Sequence, residues 1–418
     1  MGEPFAGRVA VVGLGYIGLP TAAALATRGV DVIGVDVNPD TVKAIAHGEA
    51  PFVEPDLAIA VSGAVAMGRL TASVEMPEAD AFIVAVPTPF QDDHTADLSY
   101  IRSAVEAIAP RLRGGEVIIL ESTSPPGTTR TVSEWVAELR PDLTLPHDTD
   151  SVADIAVAHC PERVLPGRIM IEMVTNDRVI GGITPRCAER AAAIYRVFAQ
   201  GQILVSDAAS AEMAKLVENS YRDVNIGFAN ELSLICERLK LDVWEVIRLA
   251  NHHPRVNILT PGPGVGGHCI AVDPWFIVAA APELARLIRT AREVNDSKPP
   301  HVARTVIEKA GRFNSPTVAC LGLAFKANVD DLRESPAVEI VREIAQALPQ
   351  VDVLVAEPFV DCLPPLLDDT PNVRLTRTND ALEAADIVVL LVDHDNFRRV
   401  NRSLLAGKVV YDTRGALR

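Results

Sequence analysis

Paired cysteines are missing from this 418-residue chain. Its six cysteines, at positions 160, 187, 236, 269, 320 and 362, include no Cys-x-x-Cys. Neither a zinc site nor a disulfide framework is indicated, no metal ligand is expected, and a reducing cytoplasm fits this usage. A surplus of positive charge is missing too. The formal net charge of −16 argues against a general nucleic-acid or anionic-membrane surface. It leaves room for a small anionic ligand, which needs only a local cluster of Lys, Arg and backbone N–H groups. No apolar run approaches the roughly 20 residues that span a bilayer. The first strand is expected to begin by Val9, leaving no space for a signal peptide. Low-complexity segments and short-period repeats are also lacking.

What is present is an ordinary globular balance, 48% hydrophobic and 22% charged residues, long enough for two or three domains with sizeable cores. "RVAVVGLGYIG" (8–18) reads as a buried strand, a glycine turn and a helix start, and "VDVIGVDVN" (30–38) as the next strand. Further apolar strands, "ADAFIVAVP" (79–87) and "GEVIILEST" (115–123), alternate with helical stretches. That alternation predicts a parallel, doubly wound sheet, and we place this first domain at residues 1–205. Residues 207–250 are proline-free and helical in period, with Asp207 or Ser210 as the cap. They form a spine or an oligomer contact within a central region, 206–314. From Pro316 a second strand–turn–helix pattern begins, giving another α/β domain at 315–418 without a clean Gly-x-Gly-x-x-Gly.

Gly13, Gly15 and Gly18 supply that motif in the first domain. The first permits the tight turn, the second lets backbone approach a pyrophosphate, and the third lets helix and strand pack closely. The helix N-terminus turns unpaired N–H groups toward phosphates. Asp36, 21 residues after Gly15, ends the second strand, where a carboxylate binds a ribose diol and repels a 2′-phosphate. NAD is therefore expected rather than NADP. Flavin is the weaker alternative, because hydride chemistry at a cysteine follows more simply from a nicotinamide.

The cysteine in question is Cys269, in "PGPGVGGHCIAVDPWF" (261–276). A free cysteine is usually a small buried hydrophobe, and that reading is taken for Cys160, Cys187, Cys236, Cys320 and Cys362. The glycines beside Cys269 instead admit a bulky ligand and expose a nucleophilic thiol. Lys215, Asn219 and Arg222, spaced i, i+4, i+7, share one helix face. Spacing alone leaves two readings open: a solvated charged stripe, or an oxyanion-binding set.

Taken in order, GLGYIG with Asp36, "VPTP" (86–89), "ESTSPPGTT" (121–129), "CPERVLPG" (160–167), "AKLVENSYR" (214–222), "GVGGHCIAVDP" (264–274) and "GLAFKANVDDLRESPA" (322–337) resemble the UDP-sugar 6-dehydrogenases of the UDP-glucose/GDP-mannose dehydrogenase family over nearly the whole chain. The resemblance implies an α/β fold of two Rossmann-like doubly wound domains joined by a long central helix, and a homodimer. UDP-glucose enzymes usually carry a serine before the cysteine and a lysine before the aspartate. His268 and Val272 stand there in this chain. Residues 252–278 are similar instead to the branch that forms N-acetylmannosaminuronate, with an N-acetylglucosamine or glucose substrate as the alternative.

The family chemistry implied is oxidation of a C6 alcohol to a carboxylate with two NAD⁺, through a thiohemiacetal and a thioester on Cys269. Asp273 and Lys215 hold a basic water, Lys215 and Asn219 stabilise the oxyanion, and Glu162 directs the hydrolytic water. Glu162 as the ion-pair partner of a nearby arginine is the alternative. Tyr16, Ile17, Thr88 and Thr123 match cofactor contacts, and Arg333 one near the nicotinamide. Arg163, Val164, Arg222, His253, Arg255, Gly266, Phe325, Lys326 and Arg414 match substrate contacts. Arg255 is implied to reach a neighbouring subunit's site. A two-electron hydroxyacid dehydrogenase and a non-catalytic sensor of NAD and nucleotide sugar are the competing readings. Neither requires Lys215, Asn219, Cys269 and Asp273 together.

Overall fold

The computed structural model describes residues 5–91, 93–149, 152–267 and 269–418; His268 lies outside the described residues. The chain divides into two compact units, Met1–Glu218 and Asn219–Arg418.

The first unit is built on eight strands: β1 Arg8–Val12, β2 Asp31–Val35, β3 Leu70–Ser73, β4 Ala81–Val84, β5 Val117–Leu120, β6 Ala156–His159, β7 Arg178–Gly182 and β8 Ile203–Asp207. Their order is β3-β2-β1-β4-β5-β6-β7-β8. The central strands are apolar at every position because helices cover both faces: β4 and β5 are buried throughout. Such runs need no period-two alternation. The β1/β2 and β1/β4 pairs are parallel, and the strand order reverses at β1, the switch point at which dinucleotides bind. The sequence pattern predicts a sheet that is parallel throughout, and the structure departs from it at one step. β7 runs antiparallel to β6, and β8 is parallel to β7. β7, the helix Pro185–Tyr195 and β8 form a parallel strand–helix–strand unit attached in the opposite sense, and it closes the sheet on an edge strand whose Leu204 and Val205 are exposed.

One helix, Ala208–Leu239, runs for 32 residues, and a shorter one follows over Val243–Ala250. Asp207 caps the first by accepting the Ser210 N–H at 2.8 Å.

In the second unit the helix Arg286–Ala310 packs closely on the long helix at Gly227, where a Cβ would lie 3.1 Å from the Ala291 Cβ. Five parallel strands follow: β9 Val318–Leu321, β10 Val353–Ala356, β11 Val373–Leu375, β12 Ile387–Leu390 and β13 Val409–Asp412, in the order β11-β10-β9-β12-β13. This repeats the β3-β2-β1-β4-β5 order of the first unit. The fold is thus α/β with two Rossmann-like sheets and a long helix between them in sequence. Among the described residues, no helix is long and apolar enough to cross a membrane.

Candidate active site

The three glycines of the first turn act in three different ways. Gly13 has φ +91°, and a Cβ there would meet the Ala85 carbonyl oxygen at 2.6 Å. At Gly18, the first residue of the helix Gly18–Ala26, a Cβ would lie 1.8 Å from the Gly13 carbonyl oxygen. Nothing lies within 4 Å of a Cβ at Gly15, and the residue is exposed. The turn therefore leaves space at the middle glycine, where a pyrophosphate approaches backbone. Asp36 follows β2. Its Oδ2 accepts the Leu14 N–H at 2.8 Å and its Oδ1 the Asn38 N–H at 2.9 Å. Each oxygen retains a lone pair for a ribose hydroxyl, so the residues present fit NAD. Tyr16 stacks on Phe52 with ring centroids 4.3 Å apart, and Ile17 precedes the helix as its cap residue. The Thr88 hydroxyl donates to the Thr123 carbonyl at 2.6 Å, tying the loops after β4 and β5 together.

The β5 loop is held by a residue that its motif does not reveal. Glu212, fully buried on the long helix, accepts the Gly127 N–H, the Thr129 N–H and the Thr129 hydroxyl, all at 2.6 Å. A carboxylate here also complements the N-terminus of the helix Thr128–Leu139.

Glu162 sits after β6 in a buried electrostatic cluster. Its Oε2 pairs with Arg178 at 2.9 Å, and its Oε1 accepts the Arg163 N–H at 2.6 Å. Arg178 is also flanked by the rings of Tyr195 (4.9 Å) and Phe198 (5.1 Å). Nearby Glu121 accepts from the Thr21 hydroxyl at 3.1 Å and the Tyr195 hydroxyl at 3.2 Å. Burial pushes the Glu121 carboxyl up to about 8, the Glu162 charge adds to the rise, and Arg178 opposes it. Burial likewise holds the neighbouring Cys160 thiol up at about 12, which leaves it inert. The Arg163 side chain pairs with Glu218 at 2.5 Å, and Val164 is half-buried against the first core.

On the long helix, Lys215 is buried, Asn219 half-buried and Arg222 exposed. The three do not form one evenly solvated stripe. The Asn219 amide donates to Asp273 Oδ2 at 2.5 Å, and Asp273 is itself buried.

In the second unit the glycine-rich segment is a tightly fitted cradle. A Cβ at Gly267, with φ +83°, would lie 3.0 Å from the Phe325 ring; one at Gly266 would meet the Glu334 carbonyl oxygen at 2.3 Å; one at Gly262 would lie 2.5 Å from an Arg414 nitrogen. Phe325 and Arg414 thus come against the segment that carries Cys269. Arg414 is anchored by Asp393 at 3.0 Å. Cys269 is exposed. Its carbonyl accepts the Asp273 N–H at 2.8 Å as the helix Asp273–Ala280 begins. Beneath the segment lies a buried polar network. Arg292 pairs with Asp223 at 2.6 Å and also bonds Asp296. Asn295 donates to Asp223 Oδ1 at 2.8 Å and accepts from Asn230 at 2.8 Å, and Asn230 Oδ1 takes the Gly262 N–H at 2.8 Å.

Several residues matched to ligand contacts stand at the surface. His253 and Arg255 are exposed, joined by the Arg255 N–H to the His253 ring at 3.3 Å. Lys326 is exposed, and Arg333, also exposed, pairs with Asp331 at 2.6 Å. Cys160, Cys187, Cys236 and Cys320 are buried, but Cys362 is exposed, contrary to the core reading. It lies in a loop after β10. Glu121, Arg178, Glu212, Asp223, Asn230, Arg292 and Asn295 escape sequence reading, because the partners that bury them, such as Asp223 for Arg292 and Thr129 for Glu212, are distant in the chain.

A Rossmann turn with an acidic ribose anchor and a second α/β unit cradling an exposed cysteine define an NAD-dependent dehydrogenase. Family models agree over three consecutive stretches. They are the NAD binding domain (residues 7–199), the central domain (209–297) and the UDP binding domain (319–418) of the UDP-glucose/GDP-mannose dehydrogenase family. The chain belongs to that family and is an NAD-dependent nucleotide-sugar dehydrogenase. The match in all three stretches sets aside the hydroxyacid-dehydrogenase reading. An NDP-N-acetyl-D-galactosaminuronic acid dehydrogenase of Ralstonia nicotianae is 57% identical over 97% of this chain and 95% of its own length. The UDP-N-acetyl-D-mannosamine dehydrogenase of Escherichia coli K12 is 54% identical over 98% and 99%. Among solved structures, the UDP-N-acetyl-mannosamine dehydrogenase of Staphylococcus aureus superposes with a TM-score of 0.85 at 41% identity, covering 98% of this chain and 95% of that one.

Proposed function

We propose that the chain oxidises the C6 hydroxyl of UDP-N-acetyl-D-mannosamine to UDP-N-acetyl-D-mannosaminuronate, in a four-electron reaction through Cys269. The observation that carries this reading is an exposed thiol in a glycine cradle, one turn before an aspartate that holds Asn219 at 2.5 Å. NAD⁺, held by the Gly13–Gly18 turn and Asp36, would supply the hydride acceptor for C6, two for each sugar. Asp273, with Lys215, holds the water that takes the C6 hydroxyl proton. The Cys269 sulfur then bonds to the aldehyde carbon and its proton leaves to solvent. Lys215 and Asn219 hold the resulting oxygen anion of the thiohemiacetal. Loss of the second hydride gives the thioester. Glu162 directs water onto that carbonyl, the C–S bond breaks, and carboxylate and thiol are released. Covalent retention explains how one site performs two oxidations without releasing aldehyde.

Gly13, Gly15, Tyr16, Ile17, Gly18, Asp36, Thr88, Thr123 and Arg333 are assigned to the cofactor. Arg163, Val164, Arg222, His253, Gly266, Phe325, Lys326 and Arg414 are assigned to the nucleotide sugar, together with Arg255 from a second copy. The domain boundaries near 205 and 314 follow the same reading. A homodimer is proposed through the long helix, where exposed Tyr221, Phe228, Ile235 and Leu239 follow one face. A cytoplasmic setting fits the cysteine usage.

The relative at 57% identity adds a second sugar to consider, N-acetylgalactosamine, which the sequence motifs do not suggest. NADH formation across UDP-linked N-acetylmannosamine, N-acetylglucosamine, N-acetylgalactosamine and glucose separates these substrates. The N-acetylmannosamine derivative is expected to give the highest kcat/KM, and a preference for any other sugar overturns the choice while leaving the chemistry intact. In the same assay Cys269→Ser abolishes net acid formation. Normal uronate production by that variant would refute the thioester route.

A further inference from the structure

The loop after β9 carries Phe325 and Lys326, and a buried pair far along the chain holds it. Glu357, at the end of β10, is nearly inaccessible, and His394, after β12, is wholly so. Glu357 Oε2 accepts the Leu323 N–H at 2.7 Å, the Ala324 N–H at 3.1 Å and a bond from His394 Nε2 at 3.1 Å; its Oε1 accepts the Phe359 N–H at 3.1 Å. On the other side of the ring, the Asn328 N–H reaches His394 Nδ1 at 2.9 Å. A backbone N–H only donates, so Nδ1 is an acceptor and carries no proton. The ring proton therefore sits on Nε2 and faces the carboxylate. Asn328 is latched a second time, its Oδ1 accepting the Asp395 N–H at 3.0 Å, and it has φ +62°. A non-glycine residue held in the left-handed region needs such support from its surroundings. The rings of Phe359 and Phe397, with centroids 5.0 and 5.4 Å from the imidazole, fix its plane.

Three N–H groups of one loop, at residues 323, 324 and 328, thus converge on one carboxylate–imidazole pair. Between them Phe325 and Lys326 are projected, and Phe325 lies against Gly266 and Gly267, two residues before Cys269. We propose that His394, held by Glu357, is a positioning residue for nucleotide-sugar binding, fixing the 322–328 loop so that Phe325 and Lys326 meet the ligand. It rests on the assignment of Phe325 and Lys326 to the substrate.

The test uses the full-length enzyme with UDP as the probe. His394→Phe keeps the ring shape and removes both bonds. It is expected to raise the Kd for UDP and the KM for the UDP-sugar on the order of tenfold, while kcat at saturation and the KM for NAD⁺ stay within about twofold of wild type. His394→Asn, whose carbonyl reproduces the Nδ1 acceptor, is expected to restore most of the affinity. Hydrogen exchange at the Asn328 amide is expected to quicken in H394F and to slow again in H394N. If H394F fails to fold, Glu357→Gln replaces it, with the same rise in Kd expected. Wild-type UDP affinity in the variant tested overturns the proposal, as does a proportional fall in NAD⁺ affinity or kcat. K326A separates the two layers. Weak UDP binding in K326A beside normal binding in H394F overturns the positioning role alone. Normal binding in K326A, F325L and H394F together overturns the substrate assignment beneath it.

Discussion

A carboxylate can be placed by its partners or by its isolation, and both cases occur within the cluster behind β6. Glu162 is fixed by a guanidinium at 2.9 Å, whereas Glu121 is met by two hydroxyls and loses its water. The second arrangement makes stability depend on pH. Burial raises the Glu121 pKa from 4.5 to about 8, so the folded protein binds the extra proton through that interval. The stabilisation is complete below the unfolded value and is lost as pH rises toward about 8. Glu121→Gln should flatten the decline in Tm across this window, and an unchanged pH profile would count against a neutral Glu121. The glycines make a sharper contrast. G18A forces a Cβ into a carbonyl oxygen at 1.8 Å and should prevent stable folding. G15A meets open space, so it should leave Tm nearly unchanged and raise the KM for NAD⁺ roughly tenfold through lost backbone approach. Thermal melts beside NAD⁺ titrations distinguish the two. Equal loss of stability in both would mean that the turn is purely structural.

At the scale of elements, the network between the long helix and Arg286–Ala310 deserves the same treatment as a core. Arg292 is almost completely buried with Asp223, and the pair leads through Asn295 and Asn230 to the Gly262 N–H. Removing one partner of a buried ion pair costs about 3–5 kcal/mol because the other charge stays uncompensated. Arg292→Ala is expected to lose that much in denaturant unfolding; a loss under about 1 kcal/mol would place the pair in the surface class. The sequence discloses elements far better than it discloses such networks. β1, β2, β4 and β5, the Asp207 cap and the run of helix from 208 can all be read locally, since apolar runs, glycine turns and helical periodicity depend on near neighbours. The same holds for the dinucleotide turn with Asp36. The antiparallel step between β6 and β7 is not legible, because strand direction is set by a partner some 20 residues away and leaves no periodic mark. Nor is the pairing of His394 with Glu357, whose loop contacts join three separate strand ends. Cys269 stands out because its glycines are adjacent in the chain; Arg178 does not, because its carboxylate is 16 residues earlier.

For the whole molecule, a net charge of −16 coexists with binding sites for two anionic nucleotides. Local devices are what the proposal assigns to that work: N–H groups at a glycine turn in one unit, and Arg and Lys on loops of the other. Assembly is the other whole-molecule property. Tyr221 and Phe228 are 72% and 56% exposed on one helix face, and with Ile235 and Leu239 they form an apolar stripe of the kind that marks an interaction surface. The homodimer proposed through this helix predicts that the wild-type chain sediments as a dimer and that Phe228→Asp sediments as a monomer in analytical ultracentrifugation. A persistent dimer would move the interface elsewhere. The central claim, that C6 becomes covalently attached to Cys269, is tested most directly by mass spectrometry of rapidly quenched Glu162→Gln enzyme turning over UDP-N-acetyl-D-mannosamine with NAD⁺, because slowed hydrolysis lets the acyl enzyme accumulate. The account predicts a uronyl thioester on the peptide containing Cys269; sustained uronate formation with that peptide unmodified, or with the acyl group on another residue, would contradict it.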